Sequence, residues 1–221
     1  MADSPIGKHL KSDHLFLFVG TNPLPNWVAA RLLTQPGAKV HLICTSDVSE
    51  QRRRLQDALQ SDPNHPLTVD WRETDGADER KIYDAVRSLA EEIKKTSNGS
   101  VGLNYTGGTK MMSVHAHHAL RDVFPRERQP IFSYLNAGDM ELKFDSASGQ
   151  QPVSVSSCKK ICLKAEELFS LHGDLKKSSL EKDVKGEIAA LGLAVIHSHE
   201  AGQDVWKKWY RNLKDNKPVA R

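Results

Sequence analysis

Five short apolar runs, each but the last followed by a stretch whose apolar residues recur at helical spacing, fill the first two thirds of this chain. The runs fall at 14–19, 39–45, 67–71, 100–105 and 130–136 and are strand-sized. Between the first two, Asn26 is placed to cap a helix carrying Trp27, Ala30 and Leu33, with Pro36-Gly37 as its stop. Ser46 or Asp47 is placed to cap a second helix over 49–59, with Leu55, Ala58 and Leu59 on its apolar side. A third, over 79–95, has Ile82, Val86, Leu89, Ala90 and Ile93 on one stripe and closes at Asn98-Gly99. A fourth, over 109–123, stops at Pro125. Strictly alternating strands and helices force parallel strands joined by right-handed crossovers. Unbroken runs such as Leu15-Phe16-Leu17-Phe18-Val19 suit strands covered on both faces.

The texture then changes. Ala137-Gly138-Asp139 reads as a turn into the alternating Met140-Glu141-Leu142-Lys143-Phe144, and 153–155 alternates again after a polar turn over 146–151. From Cys158 onward the chain is helical and charged, with helices expected over 164–170, 180–191 and 204–213. The expected fold is therefore α/β: a doubly wound, Rossmann-like, mostly parallel sheet with a terminal β-hairpin over 12–157, followed by a small helical extension over 158–221.

Hydrophobic residues make up 38% and charged residues 27%, which excludes a mainly disordered chain and a collagen. No run approaches the roughly 18 apolar residues of a membrane span, so no membrane association is expected. Thirty-one basic against 28 acidic residues leave a net charge of +3. That balance tolerates a phosphate-bearing ligand but does not argue for nucleic acid, and no DNA partner is expected. The polar start over 1–11, with Pro5 and Gly7, lacks an export signal, and three cysteines (Cys44, Cys158, Cys162) cannot all pair with one another. Reduced thiols and a cytoplasmic location follow as the expectation. The C-x3-C spacing of Cys158 and Cys162 lacks the second pair that a zinc site needs.

The most informative stretch is Asn104-Tyr105-Thr106-Gly107-Gly108-Thr109-Lys110, where a strand ends and a helix opens. Ligands of open α/β sheets bind beyond such strand ends. Two glycines let the backbone turn sharply and approach a ligand, and the free amides of the helix start favour an anion. Thr106 and Thr109 add hydroxyls and Lys110 a cation. The loop is neither a Walker A, whose glycines are spaced differently, nor a dinucleotide fingerprint, since the first strand is followed by GTNPLPN. The same residues also describe a plain strand–helix turn with a threonine cap. Thr21 and Asn22, after the first strand, face this turn if the first and fourth strands are neighbours.

The run NYTGGTKMMSVHA resembles the signature of the CARF family (CRISPR-associated Rossmann fold), in particular the CARF domains of type III CRISPR accessory nucleases. The Thr/Asn/Pro loop after the first strand, the hairpin after the fifth and the stretch LKAEELFSLHG at 163–173 agree, so the resemblance spans about 12–173. It implies a homodimer whose paired loops surround one two-fold cyclic oligoadenylate, with cyclic tetra-adenylate the leading ring. Thr106, Gly107, Gly108, Thr109 and Lys110 would meet phosphate and ribose, Thr21 and Asn22 the adenine or ribose edges, with Asn104 also in the ligand set. No cofactor is implied.

The resemblance departs after Gly173, where too few residues follow for a PD-(D/E)xK nuclease core and no R-x4–6-H pair marks a HEPN ribonuclease. The expectation is a sensor whose effector enzyme is absent or supplied by another chain. The alternatives are a ring nuclease and a binder of another nucleotide. A ring nuclease cleaves by attack of a ligand 2′-hydroxyl, with Lys110 and Thr109, and more distantly Ser113, stabilising charge and no metal required. His115, His117 and His118 lie close in sequence, and His197 and His199 alternate, but packing accounts for them as well as metal does. Trp206, Trp209 and Tyr210 read as an aromatic stripe docked on a core.

Overall fold

In the computed structural model the described residues are 6–63, 65–136, 139–145, 152–155 and 165–173. They form a seven-stranded sheet flanked by helices. In chain order the elements are β1 (Ser12–Phe18), α1 (Leu24–Leu33), β2 (Thr34–Cys44), α2 (Ser49–Gln60), β3 (Thr68–Glu73), α3 (Glu79–Thr96), β4 (Val101–Asn104), α4 (Lys110–Val123), β5 (Ile131–Asn136), β6 (Glu141–Phe144), β7 (Val153–Ser154) and α5 (Ala165–His172). The strand order is β3-β2-β1-β4-β5-β6-β7. The first five strands run parallel and β6 and β7 antiparallel, as the pattern of the chain implies.

Alternation along β1 explains its unbroken apolar run. Leu15, Leu17 and Val19 enter one core with Trp27 and Leu33 of α1 and Leu55 and Leu59 of α2. Phe16 and Phe18 enter the other, with Ile82 and Val86 of α3 and Met112 and Ala116 of α4. Both layers are apolar, and β1 is the middle one of the five parallel strands. The strand order reverses between β1 and β4, which pair directly from His14↔Val101 to Leu17↔Asn104. That reversal opens a crevice at their C-terminal ends.

Three local expectations change. Neither Ser46 nor Asp47 caps α2, whose N-cap position is Val48 with no side-chain cap hydrogen bond, because Ser46–Val48 forms a short helical turn of its own before the helix. Asn26 is not the cap of α1 but sits inside its first turn, fully buried, while Asn22 Oδ1 accepts from Leu24 N at 3.1 Å. Pro36-Gly37 does not stop the helix either. Helix α1 ends at Leu33, where Thr34 turns extended and its Oγ1 donates to Ala30 O at 2.6 Å. Pro36-Gly37 lies within β2, at a bulge between the pairs Ser12↔Thr34 and His14↔Lys39.

The first compact unit runs from Met1 to Gly173 and so takes in α5, which packs on α2. The boundary expected at 158 thus differs from this division, because Leu171 is fully buried in the core that α1 and α2 share. The turn over 146–151, Cys158 and Cys162, the helices expected over 180–191 and 204–213, and the histidines and aromatics among them lie outside the described residues. No helix among the described residues is long and apolar enough to cross a membrane.

Candidate functional site

Parallel β1 and β4 end side by side, so the loops that follow them face one another across the crevice. A cavity of about 360 Å³ lies there. Thr21, Asn22, Thr106, Gly107, Gly108 and Thr109 all line it, together with Val19, Gly20 and Pro25. Six of the residues singled out in the sequence therefore converge on one wall-to-wall space.

The turn itself is built on absent side chains. A Cβ on Gly107 would stand 1.9 Å from Phe18 O, the carbonyl that ends β1. A Cβ on Gly108, whose φ is +74°, would stand 2.6 Å from Phe18 Cβ. Only glycine lets the turn lie flat on β1. Asn26 completes the corner from below, its Nδ2 donating to Phe18 O at 2.7 Å.

Asn104 is placed differently from the expectation of ligand contact. It is fully buried and lines no described cavity. Its Nδ2 donates to Ser133 Oγ at 3.2 Å, and its Oδ1 accepts from Thr106 N at 3.2 Å and Thr106 Oγ1 at 2.6 Å. Thr106 Oγ1 in turn accepts from Leu135 N at 2.7 Å. Asn104 thus positions Thr106 and ties the turn to β5. The reason is register: the last residue of β4 pairs with Ser133 inside the sheet.

Thr109 is the N-cap of α4, its Oγ1 accepting from Met112 N at 3.1 Å. The start of the helix, with its free amides and positive dipole end, faces the cavity that Thr109 lines. Lys110 is the first residue of the helix, exposed, with no ion pair among the described residues, and it stands outside both cavity linings. Ser113 is a turn further on, its Oγ donating to Thr109 O at 3.2 Å, away from the lining.

The other flank of the turn is anchored through Tyr105, whose Oη donates to Asp145 Oδ1 at 2.7 Å. Burial and that carboxylate push the phenol well above its ordinary range. His117 faces the same carboxylate at 3.6 Å and packs on Phe132, and burial lowers its pKa. His115 faces Glu79 at 3.7 Å.

Residues that sequence reasoning passed over line the neighbouring space. Thr45, Ser46 and Asp47 follow β2, and Thr74, Asp75 and Gly76 follow β3. All are polar turns at the ends of parallel strands. Parallel pairing alone would bring them to the same sheet edge, and that was the available signal.

The family model for the Card1 CARF domain matches residues 15–155. No curated protein sequence matches the chain. Among solved structures it is similar to Can2 from Sulfobacillus thermosulfidooxidans, in complex with cyclic tetra-adenylate, with a TM-score of 0.56 and 16% identity over 73% of this chain and 39% of that one. It is also similar to protein VC1899 from Vibrio cholerae, with a TM-score of 0.52 and 16% identity over 65% of this chain and 36% of that one. The shared feature is the fold, and this chain spans less than two fifths of either relative.

Proposed function

The chain belongs to the Card1 CARF domain family, and from that membership we propose that it binds a cyclic oligoadenylate, foremost cyclic tetra-adenylate, as a homodimeric sensor in type III CRISPR antiviral signalling. One observation carries the reading: Thr21 and Asn22 after β1 and Thr106 to Thr109 after β4 line a single cavity at the start of α4. Backbone amides and hydroxyls gathered at a helix N-terminus suit a phosphodiester. Can2 was solved with cyclic tetra-adenylate, which supports the choice of ring.

A two-fold ring calls for a two-fold pocket, in which every contact is made twice. Met111 and Val114, one turn apart on α4, are 41% and 51% exposed. An exposed apolar pair on the helix that opens at the cavity supports a second copy seated there. In such a dimer Lys110, the first residue of α4 and without an ion pair among the described residues, meets the ring phosphates from outside each single-chain cavity.

The test is titration calorimetry and thermal shift with cyclic tetra- and hexa-adenylate, light scattering for oligomeric state, and chromatography of the recovered ligand. The expected result is one intact tetra-adenylate ring bound per two chains. No binding of either ring overturns the proposal. Recovery of linear products with 2′,3′-cyclic phosphate ends would replace the sensor with a ring nuclease.

A further inference from the structure

One residue before Thr106, just past the end of β4, stands Tyr105, which lines neither cavity. Its ring packs against the core that α3 and α4 cover and stacks on Tyr134 of β5, with centroids 5.8 Å apart and planes 21° from parallel. Its amide donates to Ser133 O at 3.0 Å and its Oη to Asp145 Oδ1 at 2.7 Å. Backbone and side chain thus both hold the turn to the hairpin side of the sheet.

Asp145 directly follows β6, and its own amide donates to Phe132 O of β5 at 3.1 Å. Its second carboxylate oxygen, Oδ2, lies 3.6 Å from Nε2 of His117, two turns into α4. That imidazole packs on Phe132, with 4.1 Å between centroids. One carboxylate therefore faces a phenol from the ligand turn and an imidazole from the helix that opens at the ligand cavity. The other charged or titratable groups acting on His117 are Arg121 and His118 of its own helix. Lys143 of β6 is held by Asp139 and Glu141.

A hydroxyl bonded to a carboxylate is held roughly twice as strongly as one bonded to a neutral group. A turn that meets its ligand through two glycines has no side chain there to adjust, so binding depends on where the backbone is fixed. We propose that Asp145 is a positioning residue for the ligand turn, fixing it through Tyr105 and setting it against α4 through His117. The proposal rests on the reading of the crevice as a cyclic oligoadenylate site and adds to it a support that touches no ligand. It also links the turn to the titration of a histidine outside the cavity.

The test is titration calorimetry with cyclic tetra-adenylate on the full chain, beside NMR titration of the imidazoles without ligand. Tyr105→Phe and Asp145→Ala should each weaken binding about five- to tenfold, as for one charge-assisted hydrogen bond lost, and the double variant should be no weaker than either. Asp145→Asn keeps an acceptor for Tyr105 Oη and should bind nearly as the wild type does. The side chain of Asp145 is 31% exposed, so its variants should melt close to the wild type. In the NMR arm Tyr105→Phe should raise the pKa of His117, because the carboxylate no longer serves the phenol, and Asp145→Ala should lower it, because the anion that favours the imidazolium is gone. Unchanged affinity in both single variants, a loss matched by the melting temperature, an Asp145→Asn variant as weak as Asp145→Ala, or a His117 titration indifferent to Tyr105→Phe overturns the positioning role and leaves cyclic oligoadenylate binding standing. Failure of the wild type to bind either cyclic tetra- or hexa-adenylate overturns the reading it rests on, and the NMR arm still decides whether the carboxylate is shared.

Discussion

Gly107 lies directly on the hydrogen bond that Asn26 makes to the end of β1. A Cβ at position 107 would stand 1.9 Å from Phe18 O and 3.0 Å from Asn26 Oδ1. Two loops far apart in sequence thus share one close-packed corner, and the shape of the ligand turn depends on a buried amide from a different element.

Gly107→Ala is therefore expected to damage both fold and site. Phe18 O is backbone in the central strand and cannot yield, so the turn has to lift. Overpacking of this kind costs about 1–3 kcal/mol. Urea denaturation should show that loss, and binding of cyclic tetra-adenylate should fall with it. A variant of wild-type stability would mean that the corner is looser than its geometry.

Thr106→Val is expected to cost about 1–3 kcal/mol, because Leu135 N loses its acceptor inside the structure. Thr106→Ser keeps the hydroxyl and should restore stability. If valine keeps wild-type stability while serine loses it, the methyl group rather than the Asn104–Thr106–Leu135 link holds the turn to β5.

Lys110→Ala should separate binding from stability. The side chain is exposed, and a cation at the first residue of α4 opposes the helix dipole. Its removal should leave the melting temperature unchanged or slightly raised. Affinity for cyclic tetra-adenylate should fall roughly tenfold or more, as for a charged hydrogen bond lost, with a shallower salt dependence. A fall in melting temperature with no change in affinity would make Lys110 structural.

The readability of this chain follows from which forces are local. Leu15 to Val19 announced a two-faced strand because every residue of the run is buried. The Gly107-Gly108 turn was legible because its chemistry is contiguous. Pro36-Gly37 misled because the dipeptide is a local stop signal, whereas pairing with β1 carries the chain through it as a bulge. Asn104 and Asn26 misled because their partners, Ser133 and Phe18, are brought to them only by sheet register and helix packing. The space lined by the turns after β2 and β3 went unseen since Asp47 and Asp75 come to the same sheet edge as the Gly107-Gly108 turn only once β3, β2, β1 and β4 are laid side by side.

At the opposite, N-terminal side of the sheet, His14 and His41 stack, with His14 Nδ1 3.2 Å from His41 Nε2 and His14 Nε2 3.0 Å from Ser97 Oγ. Burial, then the neighbouring His14 and Lys39, lower His41 to about 3, although Asp70 opposes them. Burial likewise lowers His14, with Lys39 and Arg128 acting in the same direction and Asp13 against. Both rings are neutral in the folded chain near pH 7. Unfolded, each takes a proton as pH drops through about 6.5, so the unfolded state binds more protons below that point. Stability from this pair is therefore complete above pH 6.5; His41 loses its share as pH falls from there toward about 3, at up to about 1.4 kcal/mol per pH unit, and His14 adds to the loss in the same direction. Urea denaturation at pH 7, 6, 5 and 4 should show that decline. His41→Leu cannot take up a proton, so its stability should fall less steeply over the same range, even from a lower start at pH 7. Parallel slopes for wild type and variant would show that other groups govern the acid limb.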